Sequence, residues 1–303
     1  MKELKDYVGA LKLAKTADGT IVNYLHNIGM FLDFTGTNSL EELEALTPAD
    51  YRSFVLSMLE DRKSSTVNNM IRSINAFLNW MLDEGVMVND SLPEMNFGGR
   101  RSKFLKQDKP VDKYIPDEVA QAMQDACERP DEEIMIALLR HSGMRAGELA
   151  SVKVSDIKVY TRDDGSEGRR IHLTHTKGDK ERFIPIPEHF VNAIFDYVKT
   201  RKHDSEYLFI GLGTHEKMST NAVYARVKRI AELAVGDEEI LSKISPHSFR
   251  HTAATNWLKQ GNTVEQVGAA LGHGKNSSQV TTRYTHLTGQ MVDKTFDSQN
   301  IRV

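Results

Sequence analysis

The chain has a single cysteine, Cys127, in 303 residues. An intrachain disulfide is therefore excluded, and a reducing compartment, the cytoplasm, is the expected home. Long apolar runs are missing as well. Stretches such as Ile134–Leu139 fall far short of the roughly 20 residues that a membrane-spanning helix needs. The first fifteen residues mix Lys, Glu and Leu and contain no apolar stretch of the signal-peptide kind. No membrane is expected among the partners. A strong charge of either sign is missing too. The net charge of −3 lends no support to nucleic-acid binding, for which a strongly basic domain is the usual sign. The charge is unevenly spread, however. Residues 1–96 hold 8 Lys and Arg against 14 Asp and Glu, residues 97–113 hold 6 against 2, and residues 114–303 hold 25 against 26. The short basic block reads equally as a solvated linker or as a strap lying along phosphates.

What is present is enough for two domains with real cores, since 40% of the residues are hydrophobic. The first part reads as helical. Thr20–Phe34 spaces Ile21, Tyr24, Leu25, Ile28, Phe31 and Leu32 by threes and fours. Thr47-Pro48 caps a helix over 50–60. Ser65–Asp83 is a third helix, with Val67, Met70, Ile71, Ile74, Phe77, Leu78 and Met81 on one face and Gly85 to end it. Its other face carries Thr66, Asn69, Arg72 and Ser73, which can meet phosphates and base edges. Taken alone, that face is more simply a solvent-facing surface. Residues 89–113 break the pattern with Pro93, Gly98, Gly99, Arg100, Arg101, Lys103 and Pro110, a linker composition. Beyond it, helices begin at Pro116 and span Asp131–His141. Strands follow over Ser151–Val159, Arg170–His175 and Arg182–Ile186, the last two around a Thr176–Asp179 turn. Helical periodicity returns from Glu188 onward.

Six residues of this second part stand out: Arg145, Lys177, His247, Arg250, His273 and Tyr284. They include no carboxylate and no thiol. Gathered in space they make an electropositive pocket with one oxygen nucleophile, suited to a phosphodiester whose non-bridging oxygens gain charge in the transition state. Each has a plainer reading alone. Arg145 with Glu148, three residues on, can be a surface ion pair. Lys177 at a turn can be merely solvated, and His273 and Tyr284 can be packing residues. Ser245-Pro246 opens a helix that puts His247 and Arg250 on one side near its positive end. His247, His251 and His273 could instead bind zinc. However, Ser248 stands where the zinc-protease motif needs Glu, so no metal is expected.

Five blocks in order resemble the tyrosine recombinase (phage integrase, Xer-like) family. They are Leu139–Leu149 around Arg145, Thr176–Arg182 leading into Ile184-Pro185-Ile186, Pro246–Thr252, Leu271-Gly272-His273, and Thr281–His286 around Tyr284. The interval from His273 to Tyr284, eleven positions, exceeds the family pattern by about two and implies a longer loop before the nucleophile. The resemblance implies a mainly α fold with a small antiparallel sheet. It divides the chain into a helical core-binding domain over 1–96, a basic linker over 97–113 and an α+β catalytic domain over 114–303. It also implies a site-specific recombinase. Tyr284 attacks the scissile phosphate to give a 3′-phosphotyrosyl ester and a free 5′-hydroxyl. Arg145 and Arg250 grip the non-bridging oxygens and Lys177 protonates the leaving oxygen. His247 moves the tyrosine proton, His273 adds a hydrogen bond and Glu148 braces Arg145. Neither cofactor nor metal nor ATP is called for. The expected partners are double-stranded DNA bearing a recombination site and three further copies of the chain, four protomers on two duplexes. Thr66, Asn69, Arg72, Arg100, Arg101 and Lys103 are expected on the DNA. Met291, Val292, Phe296 and Ile301 could dock the tail on a neighbour or pack in cis. The rival functions are a type IB topoisomerase-like relaxing enzyme, a non-catalytic DNA-binding accessory protein, and a zinc hydrolase.

Overall fold

The computed structural model describes residues 2–93, 95–97, 104–106, 113–162, 164–174, 181–211, 213 and 216–272. It divides into two compact units, Met1–Pro110 and Val111–Val303.

The first unit is all helix: α1 (Lys2–Leu13), α2 (Asp18–Thr35), α3 (Leu40–Glu44), α4 (Pro48–Leu59) and α5 (Ser64–Asp83). Local chemistry sets the boundaries. Ser39 and Glu42 cap each other's backbone at α3, and Thr47 and Asp50 do so at α4 with Pro48 in its first turn. The helix α5 buries the whole predicted apolar face, Val67 to Met81, against Ile28, Phe31, Tyr51 and Phe54. Two buried polar pairs lie in this core: Tyr51 donates to Asn75 at 2.9 Å and Asn27 to Ser73 at 3.0 Å. Ser73 is therefore buried, not outward-facing, whereas Thr66, Asn69 and Arg72 are exposed. The helix α1 was not foreseen. Its Tyr7 is the residue that anchors it, packed on Phe77 and Trp80. Part of the basic block also departs from a free linker. The Asn68 amide imitates a strand edge, donating to the Leu105 carbonyl at 2.9 Å and accepting from its N–H at 2.8 Å. Arg72 lies over the Phe104 ring at 4.7 Å.

The second unit surrounds a core of α7 (Pro130–Ser142) and α12 (Pro246–Lys259), in which every residue of Ile134–Leu139 is buried. Around it lie α6 (Asp117–Asp125), α8 (Ala146–Ala150), α9 (Glu188–Thr200), α10 (Thr220–Ala234), α11 (Glu238–Lys243) and α13 (Val264–Ala270). Buried Asp131 takes Arg226 at 2.6 Å and Arg129 at 2.8 Å, tying α10 to the start of α7. The sheet is antiparallel in the order β1 (Ile157–Thr161), β2 (Glu167–Leu173), β3 (Arg182–Ile186), with Leu173 opposite Arg182 and Ile171 opposite Ile184. The expected strand over Ser151–Val159 is corrected. Val154–Asp156 forms a 3-10 turn, closed by the Asp156 carboxylate accepting from the Lys153 N–H at 2.8 Å. Val152 and Lys153 before it pair with the segment around Tyr207 through a single bridge rather than with the sheet. The second strand starts three residues earlier than expected. Residues 201–219 interrupt the helical run with two isolated bridges. No helix among the described residues is long and apolar enough to cross a membrane.

Candidate active site

Arg145 stands at the N-cap position of α8 with extended backbone (φ −74°, ψ 151°). Glu148, in the first turn, accepts from the Arg145 backbone N–H at 2.8 Å and from its Nη1 at 2.7 Å. The same Glu148 oxygen that takes the backbone N–H also accepts from Arg182 Nη2 at 2.6 Å. One carboxylate thus holds two guanidiniums. Burial alone would raise the Glu148 carboxyl. The Arg182 charge, then hydrogen bonds and charge from Arg145, outweigh it and hold the group below the usual carboxylate range.

Arg250 comes from α12, whose start is fixed by Ser245 accepting from the Ser248 N–H at 3.3 Å and by Pro246 in the first turn. Its Nη1 donates to the Gly143 carbonyl at 2.7 Å and its Nη2 to the Leu271 carbonyl at 2.6 Å. Arg250 is buried, and burial together with the neighbouring Arg145 and Arg182 charges, only partly offset by Glu148, brings its pKa down to about 10. It remains charged at neutral pH. Gly143 ends α7 in the left-handed region (φ +60°), and a Cβ there would stand 2.7 Å from Leu271 Cδ2. Both facts demand glycine. Gly143→Ala is expected to lose at least about 1–2 kcal/mol of stability from the backbone strain alone. A urea midpoint equal to that of the parent would contradict this.

Arg182, the last residue of the Thr176–Arg182 block, is the first residue of β3. It is buried and donates from Nη1 to the Ala270 carbonyl at 2.5 Å. Arg145 Nη2 reaches the Gly272 carbonyl at 3.4 Å. Three guanidiniums therefore converge on three successive carbonyls, Ala270, Leu271 and Gly272, at the carboxyl end of α13. The signal was present in the sequence. Arg182, Ile184 and Ile186 share one face at period two, and a cation on a core face needs partners.

His247, three residues before Arg250, is exposed at the edge of this cluster. Burial of part of the ring and the charges of Lys113, Arg250, His251 and Arg145 lower its pKa from that of a free imidazole, favouring the neutral ring. Arg145, Glu148, Arg250 and His247 are thus brought together, with Arg182 added. Lys177, His273 and Tyr284 lie outside the described residues, as do Arg100, Arg101, Lys103 and the tail positions Met291, Val292, Phe296 and Ile301. Thr66, Asn69 and Arg72 belong to the other compact unit. No group of three or more His, Cys, Asp or Glu suited to a metal occurs among the described residues.

The model of the phage integrase family matches residues 113–291, and that of the phage integrase N-terminal SAM-like domain matches residues 4–86. Tyrosine recombinase XerC of Anoxybacillus flavithermus is 25% identical, with 93% of this chain and 92% of that protein covered. Tyrosine recombinase XerA of Saccharolobus solfataricus is 28% identical, with 93% and 87% covered. Among solved structures, a lambda integrase tetramer bound to a Holliday junction superposes with a TM-score of 0.68 at 15% identity, with 91% of this chain and 78% of that one covered.

Proposed function

The chain belongs to the phage integrase family, and on that premise we propose that its cleavage chemistry is carried out by Tyr284 against a phosphate held by Arg145 and Arg250. It is a site-specific recombinase, a DNA strand breaking and rejoining enzyme of the tyrosine recombinase type. The relaxing-enzyme and accessory-protein readings are not favoured. Its domains are read as a helical core-binding domain over 1–96, a basic linker over 97–113 and a catalytic domain from 114 onward.

The observation that carries the reading is a charge surplus. Arg145, Arg182 and Arg250 cluster about one carboxylate, Glu148, and the other hydrogen bonds they make go to neutral carbonyls. Clustered cations with low exposure are costly unless an anion completes the set. A phosphodiester supplies that anion, and its transition state supplies more charge. In the proposed step the Tyr284 oxygen bonds to phosphorus as the bond to the 5′-oxygen breaks. The phenol proton leaves through His247, and Lys177 protonates the 5′-oxygen. His273 donates to a non-bridging oxygen. The ester keeps the bond energy, so rejoining needs no ATP, and the fixed cations take the part that a metal plays elsewhere. Thr66, Asn69, Arg72, Arg100, Arg101 and Lys103 contact duplex DNA that carries a specific site. Four protomers act on two duplexes in the cytoplasm, as the lambda integrase tetramer on its junction suggests.

The test is a nicked suicide duplex that traps the covalent intermediate, followed by peptide mapping. A DNA-linked peptide containing Tyr284 is expected. A link to another residue, or relaxation of supercoils with no recombinant from paired sites, would overturn the reading. The neutral His247 adds a pH signature. Since its pKa is lowered, it loses its proton at a more acidic pH than a free imidazole does. Cleavage at subsaturating DNA should climb with pH only on the acidic side and be level at neutrality, and His247→Gln should lose that acidic limb. A limb centred above pH 7 in the parent would assign the proton transfer elsewhere.

A further inference from the structure

We infer that Arg182 is a positioning residue of the cleavage reaction: by holding Glu148 and the end of α13 together, it keeps Arg145 and Arg250 aimed at one phosphate. The inference rests on the functional reading above. Arg182 reaches neither solvent nor an exposed groove, and its side chain is only 8% exposed. Its two terminal nitrogens go to two separate elements, α8 through Glu148 and α13 through the Ala270 carbonyl. The Glu148 oxygen it occupies also fixes the Arg145 backbone. Losing Arg182 would free that carboxylate to rotate, and Arg145 Nη1 with it. The α13 contact matters equally. A helix carboxyl end presents carbonyls without intrahelical partners and carries partial negative charge. Here the three arginines divide those carbonyls among them, one each. Gly272 lies between two of these cations. A Cβ at that position would stand 3.4 Å from Arg182 Cδ and 4.0 Å from Arg145 Nη1, with φ at +67°. The carbonyl series thus sets the spacing of the guanidiniums, and Arg182 anchors its first member. Among the described residues the buried Arg182 Nε–H has no acceptor, so the side chain is held by its terminal nitrogens alone.

The experiment uses the full chain with the suicide duplex at saturating DNA. Single-turnover adduct formation, duplex affinity and the melting temperature are measured for the parent, Arg182→Met, Arg182→Lys, Glu148→Gln and Arg182→Met/Glu148→Gln. Arg182→Met is expected to slow adduct formation roughly 10²-fold, the effect of misplacing a catalytic group by about an ångström. Duplex affinity should stay near that of the parent. The double variant should be no slower than the slower single variant, because Arg182 acts through Glu148. Arg182→Lys keeps a charge for Glu148 but has a single nitrogen and cannot also hold Ala270. It should still fold with a cooperative melt, at a somewhat lower temperature than the parent, and be at least about tenfold slow. Parental rates in Arg182→Lys, or a deficit in either variant that disappears as DNA is raised, would overturn the inference. Should Arg182→Met not fold, Arg182→Lys decides. A parent that forms no adduct refutes the functional reading itself, whereas a cleaving parent with fast Arg182 variants refutes only this inference.

Discussion

Arg250→Lys is expected to lower strand cleavage by at least roughly 10²–10³-fold, the cost of removing one preorganised donor at a developing oxyanion. The substitution is conservative only in name. Arg250 spans two carbonyls, Gly143 at 2.7 Å and Leu271 at 2.6 Å, with its two terminal nitrogens. A lysine has one nitrogen and no planar fork, so it cannot keep both carbonyls and face a phosphate as well. The charge itself is also at stake. Burial and two neighbouring cations bring Arg250 down to about 10. The same surroundings would lower a lysine, which begins near 10.4 when free, from a lower starting point. Lysine at this position would then be partly neutral under ordinary assay conditions, where arginine is not. The variant should therefore recover part of its rate as pH falls from about 9 to 7, a trend the parent lacks over that span. Suicide-substrate cleavage measured across that range checks both statements. Near-parental rates at every pH would remove Arg250 from the transition state.

The parts of this architecture that were legible in the sequence are those set by near neighbours. Thr47-Pro48 and Ser245-Pro246 announce helix starts because capping needs only residues three apart. The stripe from Val67 to Met81 announces α5 because burial repeats with the helical period. Arg145 and Glu148 could be paired for the same reason, and the arginine is the cap of α8. What stayed hidden depends on distant partners. The Val152–Val154 run resembles a strand, yet its backbone pairs with residues near Tyr207 and stops short of the sheet. The helix α1 has a weak pattern of its own and is defined by Phe77 and Trp80, some seventy positions away. At the site, the backbone carbonyls that orient the arginines leave no trace in residue identity. Gly143 and Gly272 are the exceptions, since a glycine at each helix end marks where the chain turns and a carbonyl becomes free. Arg182 was legible in principle, as a charge on the buried face of β3, but its meaning required seeing Glu148 between two guanidiniums.

Tyr284→Phe is expected to abolish the covalent DNA adduct while leaving duplex binding intact. The change deletes one oxygen and keeps the ring, so any packing role of the side chain survives. Without that oxygen no ester can form, and the pocket retains cations but no internal nucleophile. A free phenol ionises near pH 10, so the parent reaction needs both a proton acceptor and a field favouring the phenolate. The guanidinium cluster and the neutral His247 provide these, and they remain in the variant with nothing to act on. An adduct of undiminished yield on a denaturing gel would move the nucleophile to another hydroxyl. Because the inert protein still binds, mixing it with the parent also tests assembly. If each protomer cleaves with its own tyrosine and a complete exchange needs four competent protomers, an equal mixture should give about half the cleavage of the parent alone. It should give only about one-sixteenth of the recombinant, the random chance that all four positions of a closed tetramer are active. Recombination falling only in proportion to cleavage would mean that exchange does not require the full set, and the four-protomer assembly would have to be given up while the tyrosine assignment stood.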